Sequence, residues 1–179
     1  GGIPPLILLL DGHSDVHRYV AGALWSLADK QQTNQMSIAQ SGGIAPLVTL
    51  LKNGSKSTRE KETAAGALHA LAEAFENRVA IADAGGIAPL VALFDGGSPE
   101  AIEQASGALL TLVTQNVPNQ TAIANEAVSM LKNGSVTAQE HATELIRNLA
   151  LDAGNRGAIA KAGAIPELTM QLEAGSLKA

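Results

Sequence analysis

Apolar residues recur along this chain at the three- and four-residue spacing of a helix with one buried face. Within residues 57–74 the apolar stripe consists of Ala64, Ala65, Ala67, Leu68, Leu71 and Ala72. Ser57-Thr58-Arg59-Glu60 has the form of a capping box and indicates where this long helix begins. Before it, the apolar run 44–52 predicts a buried helix that ends at Asn53-Gly54, and residues 77–84 predict a short helix after it.

The same order of features returns after roughly 42 residues, a period typical of solenoids built from stacked helical units. Gly-Gly-Ile or Gly-Ala-Ile turns begin at Gly1, Gly42, Gly85 and Gly163. A closing Ile-Ala pair recurs as Ile38-Ala39, Ile81-Ala82, Ile123-Ala124 and Ile159-Ala160. We therefore predict a single array, with units at about 1–41, 42–84, 85–125 and 126–162 and a partial unit at 163–179.

The other long helices are predicted from their N-terminal signals. Ser14 is expected to cap a helix that runs to Lys30, and Ser98 to cap one with Pro99 in its first turn. Thr137-Ala138-Gln139-Glu140 has the form of a further capping box.

The fourth unit is shorter than the others, because no Gly-Gly-Ile turn lies between Ala124 and Glu126. Glycine tolerates the backbone angles that such a turn needs. Without it, we expect the short helix either to run into the next helix or to bend differently and change the local superhelix.

These motifs resemble the armadillo repeat. The family pattern combines a Gly-Gly-Ile turn with Pro-Leu-Val-x-Leu-Leu, Gly-Ser, Ala-Ala-Gly-Ala-Leu and Asn-x-x-x-Ile-Ala, and it is present here at Gly42 to Ser55, Ala64 to Leu68 and Asn77 to Ala82. The resemblance extends over essentially the whole chain. It implies an all-α fold, a right-handed α-solenoid superhelix of stacked three-helix repeats. The third helices would line a concave groove that binds extended peptides or partner proteins.

Nuclear-import receptors of that family carry a Trp, and an Asn four residues later, on each third helix. The Trp-equivalent positions here hold Gly22, Gly66, Gly107 and Glu144. The Asn-equivalent positions hold Ser26, Ala70, Thr111 and Asn148. Only Asn148 matches, which argues against the import-receptor mode of recognition.

The face expected to be concave supplies the candidate partner-binding residues. They are Arg18, Trp25, Ser26, Asp29, Glu62, His69, Glu73, Glu103, Thr111, Glu144, Arg147 and Asn148. Acids outnumber arginines in this set, which favours a basic or mixed partner through modest electrostatic steering. A solvated helix face without a partner accounts for the same residues. Trp25, the sole Trp, is either a binding anchor or a filler between two third helices.

Composition excludes several classes of function. Hydrophobic residues make up 46% of the chain and aromatics 2%, so Ala, Leu, Ile and Val must form the core, which favours helices. A net charge of −5 without a basic stripe argues against nucleic acid as a partner. The chain has no cysteine, which excludes thiolate metal sites and fits an intracellular location, cytoplasmic or nuclear. No apolar run is long enough to span a membrane.

No constellation of side chains predicts catalysis. The histidines show no ligand spacing, and no nucleophile or phosphate-binding motif is present, so we expect no enzyme, metal or cofactor. The predicted function is a non-catalytic protein-interaction scaffold that binds a peptide or partner protein along the concave groove. The alternative is a structural segment that self-associates through uncapped repeat ends, because apolar residues such as Leu6, Leu9, Ile165 and Leu172 lie in the terminal helices.

Overall fold

The computed structural model describes residues 1–11, 16–53 and 58–173, and helices account for most of them. The helices are α1 Ile3–Leu8, α2 His17–Ala28, α3 Gln32–Gln40, α4 Ile44–Asn53, α5 Thr58–Ala72, α6 Phe75–Asp83, α7 Ile87–Ala92, α8 Pro99–Leu112, α9 Val117–Asn133, α10 Val136–Ala150, α11 Ala153–Ala162 and α12 Ala164–Glu173. A 3-10 turn, Leu9–Asp11, follows α1. No strand occurs in these three ranges. The predicted all-α solenoid is confirmed.

The helix boundaries agree with the sequence pattern to within about two residues, the usual uncertainty at helix ends. Helix α5 ends at Ala72 instead of Ala74, and α6 begins at Phe75 instead of Asn77. The predicted cap at Ser98 is confirmed, because its side chain accepts a hydrogen bond from the backbone N–H of Ala101 at 3.2 Å. The predicted caps at residues 14 and 57 lie outside the residues that the structure describes.

The N-cap of α10 is Ser135, and the prediction of a cap at Thr137 was wrong. Ser135 Oγ accepts a hydrogen bond from the backbone N–H of Ala138 at 3.3 Å. Helix α9 continues to Asn133, so only two residues separate it from α10. The first hydroxyl after α9, that of Ser135, therefore caps the N-terminus of α10.

Glycine turns separate the short helices from the buried helices that follow them. Gly42 and Gly85 adopt φ angles of 81° and 74°, which side chains with a Cβ rarely adopt. The next residue in each turn donates its N–H back into the short helix, to Ile38 O and Ile81 O respectively, both at 2.9 Å. Asn125 and Glu126 replace this turn in the fourth unit. The two helices are therefore fused into α9, which confirms the first of the two alternatives.

Equivalent positions of successive repeats supply the core. The long helices contribute one buried row and the short helices another: Leu24, Leu68, Leu109 and Ile146, then Ile38, Ile81, Ile123 and Ile159. Each helix has one apolar face, and stacking the units joins these faces into a single continuous core.

Asparagines of the short helices link neighbouring repeats. Asn77 is buried and donates from Nδ2 to Leu71 O at 2.9 Å, at the end of α5, and to Gln35 O at 3.2 Å, in α3. Asn119 repeats this arrangement with Leu112 O at 3.0 Å and Arg78 O at 3.2 Å. Each amide thus satisfies a carbonyl that the end of a helix leaves without an intrahelical partner, and it joins two repeats.

The last repeat interface differs from the earlier ones. Asn155 makes the bond to Leu149 O at 3.0 Å but, within the described residues, none to a preceding repeat. Helices α2, α5 and α8 pack side by side along their length, whereas α10 packs mainly on α9 and α11 and touches α8 over a smaller area. Fusion into α9 has therefore moved α10 away from α8.

Candidate functional site

The candidate residues lie on the four long helices or just beyond their ends. Helix α2 and the position after it carry Arg18, Trp25, Ser26 and Asp29; α5 and the position after it carry Glu62, His69 and Glu73; α8 carries Glu103 and Thr111; α10 carries Glu144, Arg147 and Asn148. We call this set the long-helix face. All of its members are at least partly exposed to solvent.

Aromatic rings fill the spaces between successive long helices. A Cβ added to Gly66 of α5 would lie 2.6 Å from atoms of the Trp25 ring, so the ring lies directly against the backbone of the next helix. A Cβ on Gly107 of α8 would lie 2.4 Å from the His69 ring. The structure therefore places Trp25 between two long helices, as the filler hypothesis requires, and leaves part of the ring exposed.

Neighbouring side chains hold several residues of the face in place. The Glu62 carboxylate pairs with Arg59 at 3.3 Å, and Glu73 accepts a hydrogen bond from Gln35 Nε2 at 2.8 Å. His69 Nδ1 lies 3.1 Å from Gln104 Oε1, a hydrogen bond that requires the proton on Nδ1. These contacts orient the middle of the face before any partner binds.

Arg78 is a structural residue that the repeat pattern did not single out. Its guanidinium donates to Ala72 O at 2.9 Å and to Thr114 O at 2.7 Å, and so joins the ends of α5 and α8. The ring of Phe75 lies 5.5 Å from the guanidinium carbon. The signal in the sequence is its place directly after the repeat's Asn77, which recurs as Asn155-Arg156, where Arg156 Nε donates to Ala150 O at 2.9 Å.

A cleft separates α8 from α10, where the fused helix has displaced the fourth long helix. Its volume is about 530 Å³, and the structure brings three predicted residues to it, Glu103, Glu144 and Asn148. Sequence analysis missed other residues that line the cleft, among them Ile102 and Ser106.

The remaining candidates lie outside this cleft. Arg18, Trp25, Ser26 and Asp29 belong to α2 and its C-terminal end, and α5 and α8 come between them and α10. Arg147 is exposed and pairs with Glu144 at 3.3 Å. The long-helix face therefore has a closely packed part, from α2 to α8, and an open part at α8 and α10.

The described ranges contain neither a metal cluster nor a membrane helix. No group of three or more histidines and acids in them converges as ligands of a metal ion would. None of the helices there combines the length and the apolar character needed to cross a membrane.

Comparison with known proteins identifies the repeat. Residues 75–114 match the family model described as the Armadillo/beta-catenin-like repeat. That match begins at the short helix, whereas the unit boundaries predicted above begin at the glycine turns and stay a prediction. No curated protein matches the sequence.

Solved structures of engineered repeat proteins share the fold. A designed armadillo repeat protein in complex with the peptide (KR)4 is similar with a TM-score of 0.68 and 24% identity, over 95% of this chain and 74% of the designed chain. An engineered protein gives a TM-score of 0.72 and 27% identity over 96% and 72% of the two chains. Computationally designed armadillo repeat proteins for modular peptide recognition give 0.68 and 24% over 95% and 74%.

Proposed function

Because this chain is an armadillo-repeat protein, we propose that it is a non-catalytic scaffold. Its partner is an extended peptide, or a segment of another protein, bound along the concave groove that the long helices line. A basic or mixed sequence fits the excess of acids over arginines on the long-helix face. The proposal includes an intracellular location, in cytoplasm or nucleus. Nucleic acid is not the partner, since the chain's net charge of −5 would repel phosphates.

The direct packing of α2, α5 and α8 carries this proposal. Trp25 lies against Gly66 and His69 against Gly107, so equivalent positions of three repeats form one continuous surface. An extended ligand can then cross several helices with the same kind of contact at each. The similar designed proteins support this use of the surface, since one is in complex with (KR)4 and others were designed for modular peptide recognition.

A peptide screen followed by charge reversal tests the proposal. We expect a random-peptide display screen to return basic or mixed sequences, and Asp29→Lys combined with Glu103→Lys to weaken their binding about tenfold, roughly 1.4 kcal/mol. The fluorescence of Trp25, the one Trp in the chain, reports binding at the face. Asp83→Lys changes charge at the exposed end of α6 and should leave the affinity within about twofold. Equal losses in both variants, or a screen without saturable binders, would refute the peptide scaffold.

Self-association is the second candidate function, and exposed apolar side chains at both ends of the described array favour it. Leu8 is 70% exposed at the end of α1, and Ile165 and Leu172 are 63% and 61% exposed on α12. Repeat arrays bury such surfaces against a neighbouring unit.

Light scattering across a wide concentration range tests this candidate. If the ends stack on other copies, the mass rises with concentration and Leu172→Lys returns it to the monomer value, because a charge in an apolar contact is costly to desolvate. Thr49→Lys, at an exposed position of α4, is the matched control and should leave association unchanged. A monomer mass at every concentration rules self-association out.

A further inference from the structure

A cavity of about 380 Å³ lies beside α4, α5 and α7, and none of its lining residues belongs to the long-helix face. Core side chains supply much of its apolar wall, since Leu51 and Leu93 are 2% and 4% exposed and both line it together with Pro89. Lys52, at the end of α4, and Lys61, near the start of α5, add two ammonium groups, and the lining contains no acid. We call it the lysine cavity.

The two lysines of this cavity are available to an anion. Within the described residues neither forms an ion pair, and Lys52 Nζ makes only a long contact, of 3.5 Å, with Ala84 O. Glu62 follows Lys61 in the sequence but pairs with Arg59 at 3.3 Å. Both ammonium groups can therefore meet the charge of a ligand.

The cavity lies in a basic region of an otherwise acidic chain. Residues 52–61 contain four of the chain's twelve lysines and arginines and one acid, the buried Glu60, whereas the whole chain has a net charge of −5. An anionic ligand is therefore attracted to this region and repelled by most of the remaining surface.

Carboxylates next to the lysine cavity argue against a broad anionic surface as its occupant. On the α9 side of α7, a cavity of about 220 Å³ shares Ala88 and Ala92 with the lysine cavity, and Asp95 and Glu126 line it. A membrane that covered α7 would bring its negative charges against these carboxylates. A single acidic side chain in the lysine cavity faces the two ammonium groups instead.

We propose that the lysine cavity binds an acidic residue and its aliphatic neighbour from a partner protein, at a site separate from the groove. The carboxylate meets the two ammonium groups, and the aliphatic side chain covers Leu51, Pro89 and Leu93. The volume lies in the range of ligand-binding clefts and accommodates two side chains. The array then holds two segments of opposite charge, a basic or mixed one on the long-helix face and an acidic one beside α7.

The first test compares two C-terminally amidated peptides that carry the same neutral fluorophore, Gly-Glu-Leu-Glu-Leu-Glu-Gly and its analogue with glutamine in place of each glutamate. Glutamine keeps the length of the side chain and removes its charge. Fluorescence anisotropy should show about fivefold tighter binding of the glutamate peptide, and added salt should reduce the difference. Equal affinities, or a glutamate peptide without saturable binding, contradict the proposal.

Two substitutions at one position locate the binding. Ala88 is exposed, lines the lysine cavity and is the second residue of α7, where an acid is favourable to the helix. Ala88→Asp should therefore keep the fold, which circular dichroism checks, and weaken the glutamate peptide about fivefold by repulsion. Ala88→Asn has nearly the same size without the charge and should change the affinity by less than about twofold. Equal effects of the two variants would place the peptide elsewhere.

Removal of the cations is the complementary test. Lys52→Gln with Lys61→Gln should weaken the glutamate peptide about fivefold and leave the glutamine peptide unchanged. Lys161→Gln, at an exposed position of α11, is the matched control, with an expected change below about twofold. The proposal is wrong if the double variant binds the glutamate peptide as tightly as the natural sequence does.

Two other occupants give different results. Co-sedimentation with vesicles of phosphatidylcholine and phosphatidylserine, lost in Ala88→Asp, would assign the cavity to a membrane. A mass that rises with concentration in the natural sequence, and stays at the monomer value in Ala88→Asp, would assign it to the acids of a second copy. Either result would replace the partner protein as the occupant.

Failure of this inference is distinguishable from failure of the groove function. Asp29→Lys with Glu103→Lys should weaken the basic peptides from the random screen and leave the glutamate peptide within about twofold. Ala88→Asp should do the reverse. Each site is thus tested with the other as its internal control.

Discussion

Replacing Asn77 by alanine is expected to lower the free energy of unfolding by about 3 kcal/mol. The buried amide donates to Leu71 O and Gln35 O, and alanine leaves both carbonyls in a place that water does not reach. Two lost hydrogen bonds and the desolvation of their acceptors together give this value. Urea unfolding followed by far-ultraviolet circular dichroism measures it.

Asn155 is the matched control for this experiment. It occupies the same position in a later short helix but makes one hydrogen bond, to Leu149 O, and its own Oδ1 has no partner in the described part of the chain. Asn155→Ala should therefore cost about 1 kcal/mol. If the two variants lose equal stability, the bond from Asn77 to the preceding repeat contributes nothing to the array.

The consequence of Asn77→Ala extends beyond one site, because the stability of a repeat array depends on its interfaces. The bond to Gln35 crosses from α6 to α3, so its loss weakens the coupling between the repeats on either side. Hydrogen exchange should then show faster opening of α2 and α3 than of α8 and α9. Such a difference separates a broken interface from uniform destabilisation.

The repeated pattern was sufficient to predict the fold, since the sequence of each unit contains the signals that predict its own helices. The apolar stripe of α5, the glycine at residue 85 and the buried Ile81 are local signals that tertiary packing did not override. The absence of a glycine turn after Ala124 predicted, as one of two outcomes, that the short helix and the next helix are fused into α9. Local sequence and global fold agree at these positions, as minimally frustrated sequences require.

The cleft could not be predicted, because it results from the displacement of a whole helix. Glu103 and Glu144 were recognised as residues of one face, but their sequence positions do not say how far apart α8 and α10 lie. The length of α9 sets that separation, and it also moved the cap of α10 to Ser135. The role of Asn77 was missed for a similar reason, since its second partner, Gln35, is distant in sequence.

A Gly66→Ala substitution is expected to have opposite effects in two backgrounds. In the natural sequence it should cost about 2 kcal/mol, because the new Cβ would lie 2.6 Å from the Trp25 ring and the ring must move. In a Trp25→Ala background the clash disappears, and alanine should stabilise the helix by up to about 1 kcal/mol over glycine. The coupling energy of this double-mutant cycle is therefore about 3 kcal/mol.

Gly22→Ala is the control within the same cycle. A Cβ at Gly22 meets only Thr63 Cγ2, at an ordinary 3.7 Å, so alanine should stabilise α2 in both backgrounds. Urea unfolding followed by circular dichroism measures all of these variants. If Gly66→Ala also stabilises the natural sequence, Trp25 does not occupy the space between α2 and α5. A large coupling energy would mean that Trp25 sets the spacing of the long-helix face, and a binding defect of Trp25→Ala would then reflect that spacing as well as any direct contact.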